Sequence, residues 1–145
     1  MIAKDLISNT ADSLVVTPAV LTGDGEGTGV DMKGYTDVAF YASVGASGDT
    51  LSASVYLELQ VQVSDDNSTW AAAPDADIVG AVTGSATGTF AKIDAPAEDE
   101  VLHATRYLGT SRYVRVLVNL TGTHSNGIPV SVIALRGGSN YLPES

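Results

Sequence analysis

The chain has no cysteine and few basic residues. Without cysteine there is no disulfide, no thiolate nucleophile and no cysteine-ligated metal. Lys and Arg together number 7 against 17 Asp and Glu, which leaves a formal net charge of -10. Because phosphate backbones are bound by clustered Lys and Arg, this balance argues against direct contact with nucleic acid.

Long apolar runs are also lacking. No run approaches the roughly 20 residues of a membrane span, and "MIAKDLISNT" lacks the apolar segment and cleavage site of a secretory signal. We therefore expect a soluble protein made in a cytoplasm, without membrane contact. Hydrophobic residues nevertheless make up 44% of the chain, so it is not a disordered acidic segment. We interpret residues 1–145 as one domain, an ordinary length for a single core.

Alternation of apolar and polar side chains predicts a β-rich fold, because strand side chains point to opposite faces in turn. The clearest run covers residues 51–63, and Gly-rich turns separate the runs. The predicted strands are residues 14–21, 37–44, 51–63, 89–93, 100–107, 112–120 and 128–135. Of these, 128–135 is apolar on both faces, which predicts a central position or a place under a partner. Only "PDADIVGAV" has room for a short helix, with Asp75 or Asp77 as its cap.

Seven or eight strands with hardly any helix predict an all-β protein, an antiparallel β-sandwich and specifically a jelly roll. The ends, residues 1–12 and 137–145, are polar and weakly patterned. We interpret them as extended N- and C-terminal arms.

The stretch "LQVQVSDDNSTW" (59–70) raises the question of a metal site. Asp65, Asp66 and Asn67 offer oxygen ligands, with two more aspartates downstream, but calcium takes six to eight and the spacing is not that of an EF-hand. Asp, Asn and Ser are also the residues that hairpin turns favour. We predict a hairpin turn without metal, and interpret Trp70 as restarting the next strand and covering a core edge.

The glycine-rich segment 23–29 and the two histidines are further candidates for a binding or catalytic site. "GDGEGTG" (23–29) lacks the glycine spacing and the following helix of a dinucleotide site, and its acids would repel phosphate, so we interpret it as a flexible connection. His103 lies in a predicted strand and His124 in a turn, where we expect it to be solvated. No nucleophile elbow is present, so we predict no catalytic residues, no cofactor and no enzyme activity.

The segment "YLGTSRYVRVLVNLTG" (107–122) resembles a late-strand motif of small structural proteins encoded beside the major capsid gene of tailed bacteriophages. "GTGVDMKGY" (27–35) and "LQVQVSDDNSTW" resemble two further pieces of that family in the same order, so the similarity spans roughly residues 27–137. The matching late-strand residues are Tyr107, Leu108, Gly109, Arg112, Tyr113, Val114, Arg115 and Val116.

The resemblance implies a capsid cement, or decoration, protein: a β-sandwich on the outer surface of the shell that clamps neighbouring major capsid subunits. It implies a virion location on the capsid exterior, and no catalytic residues. We expect a homo-oligomer, dimer or trimer, so that one assembly spans several capsid subunits.

Four residues are candidate partner contacts: Arg112, Tyr113, Arg115 and Tyr141. Since Val114 points to the core, Arg115 lies on the opposite face, where it can form a cross-strand ion pair or contact a partner. Arg112 begins the strand and is interpreted as capping the sheet edge.

Two alternative functions remain open. A carbohydrate-binding module shares the architecture, and Tyr35, Tyr41, Tyr56 and Trp70 would form a sugar platform if they shared one face. The other is a tail or fibre component of a virion, which composition does not distinguish from a capsid protein.

Overall fold

The computed structural model describes Ile7 and residues 10–138. In this part of the chain two antiparallel sheets pack face to face, which confirms the all-β sandwich. The strands are β1 (Ala11–Leu21), β2 (Gly25–Glu26), β3 (Val30–Asp31), β4 (Asp37–Val44), β5 (Tyr56–Ser64), β6 (Ala71–Ala72), β7 (Thr89–Ile93), β8 (Leu102–Tyr107), β9 (Tyr113–Thr121) and β10 (Ile128–Gly137).

We call the two layers sheet I and sheet II. Sheet I has the strand order β1-β10-β4-β8. Sheet II is built on the central pair β9 and β5, with β2 and β3 along the free side of β9, and β6 and β7 along the free side of β5. The prediction that the last strand is central is confirmed, because β10 lies between β1 and β4.

The core lies between the sheets and is formed by the inward half of each alternating strand. In β4, for example, Val38, Phe40, Ala42 and Val44 are buried, as the sequence pattern predicts. The largest fully buried side chains are Phe40, Leu57, Leu59, Ile93, Ile128, Val38, Val61, Val114, Val116, Val118, Val130 and Val132.

Strand limits agree in part with the predictions. Strands 37–44 and 89–93 are found at the predicted residues, whereas the predicted strand 51–63 begins only at Tyr56. Its first residues form a turn instead, in which Ser52 and Val55 exchange backbone hydrogen bonds of 2.9 and 3.2 Å. The Ser52 hydroxyl also accepts from the Ser54 N–H, a local bond that competes with strand pairing.

The predicted short helix is a single 3-10 turn, Asp75–Asp77. Neither aspartate caps it: Pro74 occupies the N-cap position and makes no side-chain cap bond. The Asp75 carboxylate instead accepts from the Gly88 N–H at 2.7 Å and so ties this turn to the start of β7. No helix long and apolar enough to cross a bilayer occurs among residues 10–138.

The glycine-rich segment 23–29 is not a flexible connection, and that prediction is wrong. Gly25 and Glu26 pair with β9 as β2. Gly27 N–H then donates to the Val116 carbonyl at 3.0 Å, and Thr28 N–H to the Val15 carbonyl at 2.8 Å. The segment therefore links β9 of sheet II to β1 of sheet I along one side of the sandwich.

Both ends of the described chain meet at one end of sheet I. Ala11 opens β1 opposite Arg136, and Gly137 closes β10 opposite Asp37. The strands thus take in Ala11, Asp12 and Gly137 from the segments interpreted as arms. Ile7 is strongly exposed, and residues 1–6, 8–9 and 139–145 of those segments lie outside the described residues.

Candidate functional site

The acidic stretch after β5 is a hairpin turn, as predicted: the chain reverses and β6 pairs with the end of β5. Asp66 organises it by accepting from the N–H of Ser68 at 2.9 Å, the N–H of Thr69 at 2.7 Å and the hydroxyl of Ser64 at 2.9 Å. Asn67 takes a positive φ of 58°, which Asn tolerates better than most residues. The hydrogen bonds from Thr69, Ser68 and Ser64 lower the pKa of Asp66 to about 2.

That shift makes a pH-dependent prediction. The folded-state pKa of Asp66, about 2, lies below the usual aspartate value of 3.8, so its stabilising effect is complete above roughly pH 4 and is lost as the pH falls towards 2. We expect Asp66→Ala to lower the melting temperature at pH 7 and to have little effect near pH 2. Asp65→Ala, at the exposed neighbouring carboxylate, is the matched control. A pH-independent difference between Asp66→Ala and the parent protein would contradict this role.

The two histidines are not arranged as a catalytic pair. His103 in β8 places Nε2 2.9 Å from the Glu98 carbonyl. His124 is buried, with Nε2 3.2 Å from the Tyr56 carbonyl and 3.0 Å from the Thr121 carbonyl. The prediction that His124 is solvated is wrong, because its side chain is buried and its Nε2 lies within hydrogen-bond distance of two backbone carbonyls. Among residues 10–138, no group of three or more His, Asp or Glu side chains is placed to hold a metal ion.

Arg112 lies just before β9 and binds the edge strand β3. Its Nε and Nη2 each lie 3.2 Å from a different carboxylate oxygen of Asp31, a bidentate pair at the surface. The hydrogen bond to Asp31 raises the pKa of Arg112, and the same bond, with that from the Lys33 N–H, lowers the pKa of Asp31. The guanidinium also lies 5.2 Å from the centroid of the Tyr113 ring.

Arg115 has a different environment: it lies on the outward side of sheet II but is largely covered by neighbouring side chains. Its side chain is only 12% exposed. Nε donates to Oε1 of Gln62 at 2.9 Å, Nη2 is 3.8 Å from Glu26, and the guanidinium lies 4.4 Å from the centroid of the Trp70 ring. Of the two roles predicted for Arg115, these contacts favour the cross-strand ion pair over a partner contact. Tyr141 lies outside the described residues.

Trp70 precedes β6, as predicted, but the surface it covers differs from the prediction. Its ring lies beneath Arg115 and beside Gly29 on the outward side of sheet II, and not over a core edge. The reason is register: Gln62, the neighbour of Arg115 across β5 and β9, pairs with Ala72, two residues after Trp70.

The four aromatic residues considered for a sugar platform do not share a face. Tyr41 lies on the outward side of sheet I, whereas Tyr56 and Trp70 lie near opposite ends of β5 in sheet II. Three of the rings also already carry a cation: Lys92 is 4.4 Å from Tyr56, Arg115 4.4 Å from Trp70 and Arg136 4.6 Å from Tyr35. These rings have one face covered from within the fold.

The outward side of sheet I carries apolar side chains on all four of its strands. Leu14, Ile133, Tyr41 and Ala104 are direct neighbours in one row across all four strands. Leu14 is 51% exposed and Ile133 42%. We define the apolar face as Leu14, Ala39, Tyr41, Leu102, Ala104, Ile133 and Leu135.

Charges on this side of sheet I lie on the two edge strands, β1 and β8, and at the first residue of β4. The row next to Leu14 and Ala104 runs Asp12, Leu135, Ala39 and Arg106, so an acid ends it on β1 and a base ends it on β8. Arg106 donates from Nε to Asp37 at 2.7 Å, which raises the pKa of Arg106. Sheet II is different: its outward side carries polar residues that bond to one another, such as Gln62 with Arg115.

An open groove of about 600 Å³ lies between the 32–36 loop and the 108–112 loop. Met32, Tyr35 and Leu108 supply its apolar lining, and Arg112 lies at its wall. It opens at the end of the sandwich where the described chain begins and ends, because the Thr36 hydroxyl donates to the Gly138 carbonyl at 3.1 Å.

Comparison with known proteins finds no family model that matches this chain and no curated protein that matches it. The arguments below therefore depend on the residues themselves.

The apolar face was missed at the sequence level, although one signal was present. Segment 128–135 is apolar on both faces, but the sequence pattern does not show which strands pair with it. Leu14, Tyr41 and Ala104 join Ile133 only through pairing between distant segments.

Proposed function

We propose that this protein is a structural component of a virion: a cement protein that binds the outer surface of a tailed-phage capsid and clamps neighbouring major capsid subunits. The observation that carries the assembly role is the apolar face of sheet I. Soluble domains expose single apolar residues commonly, but a contiguous apolar patch marks a surface that contacts another protein.

The rest of the described chain supports a binding role. Several of its charged side chains are engaged in structural contacts, such as Asp66 in its turn and Arg115 over Trp70. The resemblance over residues 27–137 supplies the capsid context.

The shell contact is proposed at the end of the sandwich where β1 begins and β10 ends. The first and last residues of the continuous described chain lie there, next to the groove beside Arg112. Segments that extend from one end of a rigid domain can reach different subunits at once, and this enlarges the interface beyond what the end of a small sandwich offers.

A carbohydrate-binding module is the weaker alternative. Sugar stacking needs free aromatic faces on one surface, whereas Tyr56, Trp70 and Tyr35 each stack with a cation of the same chain. A tail or fibre role agrees equally with the apolar face. Binding of the protein to expanded capsid shells distinguishes a capsid role from that one.

The finer fold proposal is a jelly roll. Two pairs of short strands in sheet II support it, because each pair occupies one strand position in the sheet. β2 and β3 lie end to end along β9, and β6 and β7 lie end to end along β5. Counted in this way each sheet has four strand positions, the eight of a double-sheet jelly roll.

The test of function uses expanded shells that lack the protein. Added protein is expected to bind them and to raise the temperature at which they open, increasingly with its concentration, because it binds the assembled lattice and not the separate subunits. Removing residues 1–9 or 139–145, which leaves every described strand intact, is expected to weaken binding.

Three outcomes contradict parts of this proposal. Shells that bind the protein but open at an unchanged temperature would rule out cementing. Shells that ignore it would rule out the capsid, and binding to isolated tails would then favour the tail role. Retention on a glycan array would favour the carbohydrate module.

A further inference from the structure

We infer that the apolar face is covered by a second copy of this chain, in a two-fold dimer whose axis runs parallel to the strands between the two faces. The inference deepens the proposed function and rests on it only for how the dimer is oriented towards a shell. The contact itself is defined by the pattern of residues across sheet I.

The pattern is complementary to itself under that symmetry. An axis parallel to the strands places the β1 edge of one copy over the β8 edge of the other at the same height. In the row Asp12, Leu135, Ala39, Arg106, the acid of each copy then faces the base of the other. Arg106, which donates from Nε to Asp37 of its own chain, would there lie between two carboxylates. Because the contact occurs twice, both charged ends of the row are matched.

The neighbouring row is complementary in size. Leu14 at one edge faces Ala104 at the other, and Ile133 faces Tyr41. A large side chain thus meets a small one at the edges, and an aliphatic chain meets an aromatic ring near the axis. None of the four residues in this row is charged, which suits the apolar contact between two packed sheets.

The expected strength follows from the size of the face. Four strands about 4.8 Å apart and about eight residues long at 3.3 Å per residue give a footprint on the order of 500 Å² per copy. The total, about 1,000 Å², is near the lower limit of specific interfaces, so we expect a reversible dimer with a micromolar dissociation constant.

The symmetry also determines which ends of the two copies lie together. Rotation about an axis parallel to the strands leaves the position of each residue along the strand direction unchanged. Both copies therefore present the groove end, where Ala11 and Gly137 lie, to the same side. A dimer of this kind would bring the four ends of the described strands β1 and β10 that lie beside the grooves to one surface.

Sedimentation equilibrium of the full-length protein between about 1 and 200 μM tests the contact. We expect a monomer–dimer equilibrium, and we expect Ile133→Asp to abolish it, because two buried carboxylates would meet near the axis. Leu117→Asp, the same kind of change at a half-buried residue on the outward side of sheet II, is the matched control and should leave the equilibrium unchanged. Circular dichroism melts establish that each variant is folded.

Charge exchange tests the orientation. In an Asp37→Asn background, which releases Arg106 from the carboxylate of its own chain, Asp12→Arg places like charges opposite each other twice and should weaken the dimer about tenfold or more. Adding Arg106→Glu should then restore the dissociation constant towards that of the Asp37→Asn background. A monomer at all concentrations would overturn the dimer. A dimer broken by Ile133→Asp but indifferent to the charge changes would overturn the orientation. Shell binding is measured separately, so a monomer that still cements shells would refute this inference and leave the proposed function standing.

Discussion

Gly27→Ala is expected to lower the free energy of unfolding by about 2–3 kcal/mol, among the larger effects of any single methyl group in this chain. A β-carbon at this position would lie against the Val116 carbonyl and 2.6 Å from Cγ1 of Val15. Since one of these neighbours is backbone, relief requires the strands to move. The movement would strain the bonds from Gly27 to Val116 and from Thr28 to Val15 that link the two sheets.

Gly23→Ala is the matched control for this change. It lies in the same glycine-rich segment, and a β-carbon there meets no atom within 4 Å. We expect its melting temperature to equal that of the parent protein or to rise slightly, because alanine restricts the unfolded chain more than glycine does. Thermal unfolding followed by circular dichroism measures both variants, and equal losses for the two would mean that segment 23–29 does not link the sheets.

Arg115→Ala is expected to destabilise the fold by about 2–3 kcal/mol, since it removes a charge-assisted hydrogen bond, a shielded cation–π contact and packing at once. The contacts are those to Gln62 and Trp70, with Glu26 nearby. At roughly 3–4 °C per kcal/mol for a domain of this size, the melting temperature should fall by about 6–12 °C.

Arg112→Ala tests whether this effect is specific to the position. Arg112 also pairs with an acid and an aromatic ring, but its side chain is 49% exposed. An exposed pair of this kind contributes about 1 kcal/mol or less. If Arg112→Ala proved as destabilising as Arg115→Ala, the burial of Arg115 would not explain its role.

The difference in burial between these two arginines separates the residues that the sequence groups together as candidate partner contacts. The sequence pattern correctly places Arg115 on the face opposite Val114. It does not show that Trp70, 45 positions earlier, lies under the same guanidinium. Of the candidate contacts that the structure describes, Arg112 and Tyr113 are therefore better placed than Arg115 to meet a partner.

Local chemistry was read correctly from the sequence alone. Period two identified strand 37–44 and the inward side of β4, because alternation follows from the geometry of an extended chain. The preference of Asp and Asn for turns identified the hairpin around Asp66. Neither feature depends on which strand lies next to which.

Tertiary structure decided the features that depend on non-local pairing. The burial of His124, the close approach at Gly27 and the apolar row through Leu14 and Ile133 each bring together segments that are far apart in the chain. A repeating pattern states which side of a strand is apolar but not which strands are neighbours. The sequence therefore determined that this protein is a β-sandwich with an apolar last strand, and only the pairing of β1, β10, β4 and β8 made that strand part of a surface that can bind.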